Sequence, residues 1–343
     1  MRRRGVALIG LGMAVAPHAE SLIALGDSVE VVSAVSPSPA RRQAFARRFG
    51  FAVADSLEPV LCNSGIDVVA VLTPPNTHLE IVTRLARAGK HILLEKPLEV
   101  SSARSAELVA ECRAAGVTLG VVLQHRFKPA AERLAAIIAQ GGLGEIVNCS
   151  TAIRLWRPQS YYQEPGRGSR ARDGGGVLLT QGIHTLDLML SLAGPVAEVC
   201  GYAMTSAVHR METEDLVAAA VRFAGGAVGV IEATTAAYPG EPERIELIGS
   251  KATAQLAGTA LRVHYHDGRR EEVAADASAG GTGADPMAFP HDYHLGVWRD
   301  FLAALDAGRP PRVSGSEALK VHRLIDALLA AAGSEHKLSV ALA

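Results

Sequence analysis

His91-Ile92-Leu93-Leu94-Glu95-Lys96-Pro97 is the stretch on which the fold turns. Its apolar run is short and follows a helix-length segment ending in Ala88-Gly89. It reads as a buried parallel strand whose charges arrive only at the carboxyl end. Pro97 cannot donate to a ladder, so the strand stops with Lys96 at the sheet edge, where ligands bind in open α/β sheets. A surface lysine capping a strand satisfies the same residues, and the neighbouring segments decide between the two.

Outward from that stretch, residues 5–122 alternate β-branched runs with amphipathic segments. Strands are expected at 6–9, 29–35, 68–72, 91–94 and 119–123, with helices at 14–25, 39–49, 77–88 and 102–115. This is the pattern of βαβ units in a doubly wound parallel sheet, a Rossmann-type α/β domain over residues 1–123. After Gln124 the texture changes. A helix at 129–140 and a strand at 146–155 lead into a polar and aromatic loop, 156–173. Gly174-Gly175-Gly176 precedes a helix at 178–192. Runs at 198–204, 216–223, 227–235, 243–248 and 261–266 follow without helices between them, which predicts an open, mostly antiparallel sheet. A Gly-rich loop at 278–285 and helices at 291–307 and 316–332 close a second, α+β domain, 124–343, whose final helix can pack back on the first.

The composition sets bounds on function. Among 343 residues, 34 Lys plus Arg against 35 Asp plus Glu give no electrostatic case for nucleic acid or an anionic membrane. Met1-Arg2-Arg3-Arg4 opens like a signal peptide, but the apolar run breaks at Gly10-Leu11-Gly12 and shows no cleavage-type ending, so a cytoplasmic protein is expected. Cys62, Cys112, Cys149 and Cys200 lack metal-like spacing and read as reduced thiols, with no metal expected. No apolar run reads as long enough to span a bilayer.

Gly10-Leu11-Gly12-Met13-Ala14-Val15 lies where the first strand turns into the first helix, and such glycines let a backbone approach a pyrophosphate at a helix N-terminus. The third glycine position holds Val15. The second strand ends in Ser36 rather than a carboxylate, with Arg41 and Arg42 close behind. That favours a 2′-phosphate and NADP over NAD, although both arginines also suit a solvated helix face. The loop Thr73-Pro74-Pro75-Asn76-Thr77-His78 follows a strand on the same edge; Asn76 or Thr77 can cap the next helix, and the loop can also touch a nicotinamide ribose. In the second domain, Thr180, His184 and Asp187 share one face if their segment is α-helical, a hydroxyl, an imidazole and a carboxylate suited to acid–base work.

Taken in order, the first-strand glycines, the Thr-Pro-Pro-Asn-Thr-His loop, Glu95-Lys96-Pro97 and the Gly-Gly…Gly-x-His-x-x-Asp run at 175–187 resemble the Gfo/Idh/MocA family over nearly the whole chain. The resemblance implies an NAD(P)-dependent dehydrogenase acting on a secondary hydroxyl of a sugar, cyclitol or sugar acid. Lys96 would then bind the substrate hydroxyl and nicotinamide ribose, and His184 would be the general base. Thr180 stands where many members have Asp, which puts a third catalytic group in doubt. The cofactor contacts expected are Gly10, Leu11, Gly12, Met13, Ser36, Arg41, Thr73, Pro74, Asn76, His78, Glu95 and Lys96.

Arg126, Arg154, Trp156, Arg157, Tyr161 and Tyr162 are candidates for orienting the substrate, because arginines grip anions and aromatics stack on sugar faces. The loop 156–162 resembles the branch that oxidises nucleotide-linked sugar acids. Family members commonly associate through the second-domain sheet, which implies a homodimer or homotetramer. Two other readings fit the same motifs. One is an enzyme that cycles a tightly bound cofactor during elimination or glycosidic cleavage; the other is a cofactor-bound sensor, for which a base and an alkoxide stabiliser would be superfluous.

Overall fold

The structure, a computed structural model, describes residues 3–276, 290–334 and 338–340. The Gly-rich loop expected at 278–285 lies outside the described residues. The chain forms two compact units, residues 1–124 with 290–319, and residues 125–289 with 320–343.

The first unit runs β1 Arg4–Ile9, α1 Val15–Ala24, β2 Val29–Val35, α2 Pro39–Phe49, β3 Val53–Ala54, α3 Glu58–Cys62, β4 Val68–Val71, α4 His78–Arg87, β5 His91–Glu95, α5 Ser102–Ala114 and β6 Leu119–Val122. The sheet is parallel in the order β3-β2-β1-β4-β5-β6. Its central strands are fully buried, including Val6–Leu8 and Ile92–Leu94, which explains their unbroken apolar runs. The order reverses between β1 and β4, so the segments after β1, β4 and β5 share the edge where such sheets bind ligands. The short β3 and α3 carry too few apolar residues to show a period.

A later segment, 290–319, returns to this unit and carries the helix Asp292–Ala307, α9 by chain order, packed on α1. A Cβ at Gly120 would strike Phe301 of that helix at 2.5 Å, so only glycine lets α9 lie so close to β6.

The second unit contains α6 Pro129–Ala139, β7 Ile146–Arg154, α7 Arg170–Asp173, α8 Ile183–Ala193, β8 Val196–Met204, β9 Leu216–Phe223, β10 Val228–Thr234, β11 Arg244–Gly249, β12 Ala252–Ala257, β13 Ala260–Tyr265, β14 Arg270–Val273 and β15 Leu338–Ser339. Helix α10, Gly315–Ala331, begins in the first unit and ends in this one. The nine strands are ordered β14-β13-β12-β11-β7-β10-β9-β8-β15, antiparallel apart from the β7–β10 pair. Helices α6 and α8 cover one face. The other presents Tyr202, Met204, Val228, Val230 and Ile248 to solvent.

The stretch Arg170–Ala193 reaches membrane-span length and apolarity by length and composition alone, but 67% of its most apolar window is buried, as in the core of a folded domain. All four cysteines are free thiols; burial pushes those of Cys112 and Cys149 up to about 12.

Candidate active site

The first unit supplies a dinucleotide cradle. Gly10 leaves β1 at φ +99°, and a Cβ there would lie 2.8 Å from the Leu72 carbonyl, so the tight turn admits only glycine. A Cβ at Gly12 would meet nothing within 4 Å, leaving the backbone open to close approach. No side chain caps the N-terminus of α1; the Val15 amide turns back to the Gly12 carbonyl at 3.3 Å, and the helix dipole there favours an anion. These residues fit the pyrophosphate of a nicotinamide dinucleotide. Leu11 is buried beneath the turn and Met13 projects from it.

At the end of β2, Ser36 is buried and its hydroxyl accepts from the Ser38 amide. Arg42 donates to the Ser36 carbonyl at 2.6 Å, which commits its guanidinium to the turn. The Arg41 side chain is exposed, and its amide is capped by Ser38.

Three of the expected roles on this edge change. His78 is fully buried: one ring nitrogen meets the Thr73 carbonyl at 2.8 Å and the other those of Pro97 and Leu98 at 3.1 Å. Burial also pushes its pKa down. It therefore fastens the loops after β4 and β5 to each other and is sealed from any ligand. Thr77 does not cap α4 with its side chain; its hydroxyl donates to the Pro74 carbonyl and so orients the Thr73 hydroxyl beside it. Asn76 and Pro74 remain exposed.

Glu95 is the third. Rather than facing a ligand, it anchors Lys96: its Oε2 accepts the Lys96 amide and its Oε1 accepts from His18 Nε2, both at 3.0 Å. Trp298 donates its indole N–H to His18 Nδ1 at 3.1 Å. An indole can only donate, so Nδ1 carries the lone pair and the ring proton sits on Nε2, aimed at Glu95. Burial pushes the Glu95 carboxyl up, but the His18 hydrogen bond and the nearby His294 and Lys96 outweigh it and hold the group below the usual range.

His18, Glu95 and His294 bring three possible ligand atoms within 4.8 Å. The proton on His18 Nε2 occupies the lone pair that a cation would need, and the Trp298 bond blocks the other tautomer. His18 and Trp298 are absent from the motifs read in the sequence. Only their meeting across α1 and α9 reveals them.

The second unit supplies the other groups. Glu214 receives the Gly176 amide at 3.0 and 3.1 Å and the Leu178 amide at 3.3 Å, capping the start of the segment that bears His184. Burial raises its pKa against those bonds. A Cβ at Gly176 would lie 1.8 Å from the Glu214 carbonyl oxygen, which accounts for the glycine run.

Leu178–Gly182 then forms one π-helical turn before α8. Thr180 lies within this wider turn, and its hydroxyl donates to the Gly176 carbonyl at 2.6 Å. His184 itself is mostly buried, its ring centroid 4.9 Å from that of His125 and its plane tilted 32°. Asp187 follows one turn further along α8. It accepts Arg126 Nε at 2.7 Å and Nη2 at 2.6 Å, which also engages the arginine expected to grip substrate. His125, next to Arg126, escaped the sequence reading because nothing in the motif marks it.

Arg154 is likewise displaced from its expected role. It lies on the sheet face opposite α8, paired bidentately with Glu232 on β10. The remaining candidates fall in the loop 156–173. Arg157 is buried, donates to the Trp156 carbonyl and lies over the Tyr161 ring. Arg167 donates to the Tyr161 hydroxyl, and Gln181, at the start of the helical segment, reaches the same hydroxyl at 3.5 Å. Tyr162 bonds Thr235, and burial pushes its phenol up to about 12.

The loop is zipped to the segment between β8 and β9. There, Asp215 accepts from Ser206 and lies 2.6 Å from His209 Nδ1, while His209 Nε2 lies 2.8 Å from the Arg157 carbonyl. Trp156 and Tyr162 flank the His209 ring.

A parallel sheet with a glycine cradle at its switch point, joined to a second sheet domain, defines a nicotinamide-dependent oxidoreductase. Residues 4–123 match the oxidoreductase family with an NAD-binding Rossmann fold, and residues 131–255 match the GFO/IDH/MocA C-terminal domain. The chain belongs to the Gfo/Idh/MocA family of oxidoreductases. It is 26% identical to the myo-inositol 2-dehydrogenase of Thermotoga maritima over 91% of each chain. It is similarly 26% identical to a D-apiose dehydrogenase of Paraburkholderia graminis, covering 94% of this chain and 85% of that one. Among solved structures, the WlbA dehydrogenase of Bordetella pertussis, in complex with NADH and UDP-GlcNAcA, superposes with a TM-score of 0.85 at 28% identity, over the whole of both chains.

Proposed function

We propose that this protein oxidises, reversibly, a secondary hydroxyl of a sugar, cyclitol or sugar acid, with Lys96 and His184 as the reacting side chains. The observation that carries the reading is Lys96 at the carboxyl end of β5, its backbone fixed by Glu95 on the same edge as the Gly10 cradle. A bound nicotinamide supplies the hydride acceptor for the alcohol carbon. The Lys96 ammonium stabilises negative charge on the substrate oxygen, and His184 takes the hydroxyl proton. The relatives named for inositol and apiose, and the 28%-identical neighbour with a bound nucleotide sugar acid, support this substrate class.

NAD(H) is the first cofactor on the same grounds. Arg41, exposed after Ser36, is the group that would extend use to NADP. Arg41→Ala should raise the KM for NADP about tenfold and leave that for NAD unchanged. The free thiols fit a reducing, cytoplasmic compartment, and the bare apolar sheet face fits a homodimer or homotetramer.

The test is cofactor reduction, followed by absorbance, with a panel of polyols, sugar acids and a nucleotide-linked sugar acid. Lys96→Ala and His184→Ala should each abolish turnover on the active compound. Full activity in both would refute the assignment.

A further inference from the structure

We propose that His18 is a positioning residue: acting through Glu95, it fixes the backbone from which the Lys96 ammonium works. The inference rests on the reading of Lys96 as the group that stabilises the alkoxide. Lys96 is the first residue beyond the sheet. The ladder of β5 with β4 ends at Leu94 and that with β6 at Glu95, and Pro97 has no amide to donate. At this point the Glu95 carboxylate takes over from the ladder, its Oε2 accepting the Lys96 amide at 3.0 Å.

A carboxylate held by one oxygen can still swing about its side-chain torsions. His18 removes that freedom by donating its Nε2 proton to the other oxygen, also at 3.0 Å. The imidazole is fixed in turn. It is fully buried, accepts the Trp298 N–H at 3.1 Å, and has the His294 ring standing at 80° to it with 5.0 Å between centroids. His294 Nε2 lies 3.9 Å from the same Glu95 oxygen, outside hydrogen-bond reach. All of these residues belong to the first unit. A buried polar chain of this kind adds little stability over apolar packing of the same shape, so what it supplies is direction. Direction matters here, because a misplacement of about 1 Å at a reacting group costs about 100-fold in rate.

The experiment compares His18→Leu, His18→Gln, Glu95→Ala and the double variant His18→Leu, Glu95→Ala, on whichever compound of the panel is turned over. Leucine fills space without a hydrogen bond, whereas one glutamine amide offers Trp298 an acceptor and Glu95 a donor, as the ring does. In His18→Leu, kcat should fall about 10–100-fold while the KM for NAD stays within about twofold. His18→Gln should recover kcat to within a few-fold of wild type. Once Glu95 is alanine, His18→Leu should cost nothing further, since its effect passes through that carboxylate. Amide exchange followed by NMR on the wild-type protein needs neither substrate nor variant. It should show the Lys96 amide protected to within about tenfold of those inside β5. Wild-type kcat in His18→Leu, a glutamine variant no better than the leucine one, additive losses in the double variant, or a Lys96 amide exchanging like an open chain would each overturn the proposal. Full activity in Lys96→Ala would instead refute the reading of Lys96.

Discussion

Asp187 of α8 and Arg126 of the turn before α6 face each other through two parallel hydrogen bonds, with Asp187 only 1% exposed. The pair ties the helix bearing His184 to the turn bearing His125. Removing one partner strands a buried charge, whereas removing both does not. Asp187→Ala should cost about 3–5 kcal/mol of stability, and the double variant Arg126→Met, Asp187→Leu should recover most of it. Chemical denaturation of the three proteins checks this; a double variant no more stable than the single one would show that the pair itself is required.

The Trp298–His18–Glu95 chain makes a separate prediction. Trp298→Phe leaves His18 Nδ1 buried without its donor, which should cost about 1–3 kcal/mol. It also releases the tautomer lock, so ¹⁵N spectra should show the His18 proton no longer confined to Nε2. A spectrum unchanged from wild type would mean that Glu95 alone fixes the ring.

Buried histidines set the acid side of stability. Burial pushes His294 down to about 3 and His322 to about 4, well below an unfolded value near 6.5. Between those limits the unfolded chain binds protons that the folded one does not, so stability falls as the pH drops below about 6.5. Each histidine contributes a slope of about 1.4 kcal/mol per pH unit in that window. His322→Leu should remove one such share, read from urea midpoints at pH 7 and pH 5. An unaltered slope would refute the assignment.

The exposed sheet face can be tested by charge. Val228 and Val230 lie on β10 with Tyr202 and Met204 two strands away, all turned from α8. Val230→Glu should convert an oligomer to monomer in light scattering while the far-ultraviolet dichroism stays constant. A wild-type protein that is already monomeric would rule out this surface as an interface.

The parallel sheet was legible because its strands are buried on both faces and its helices repeat an amphipathic period. Lys96, Gly10 and His184 were legible because each sits in a local motif. What the sequence could not yield depends on distance along the chain. His18 and Trp298 are separated by 280 residues, and nothing local to either marks the other. The π turn at Leu178–Gly182 departs from the α-helical period expected there, and no local sequence signal marks it. Arg154 looked available because strand alternation assigns a face without saying which one α8 covers. His78 read as a ligand contact because its loop lies on the right edge, yet the backbone carbonyls around it become visible only in three dimensions.

The loop at 156–173 draws many of its anchors from the connection between β8 and β9. Gln159 pairs with the Arg210 backbone, Glu212 receives the Arg170 amide, and the His209 ring holds the Arg157 carbonyl. The two segments therefore depend on each other for their shape, and either one grafted alone onto another scaffold would arrive without its mate.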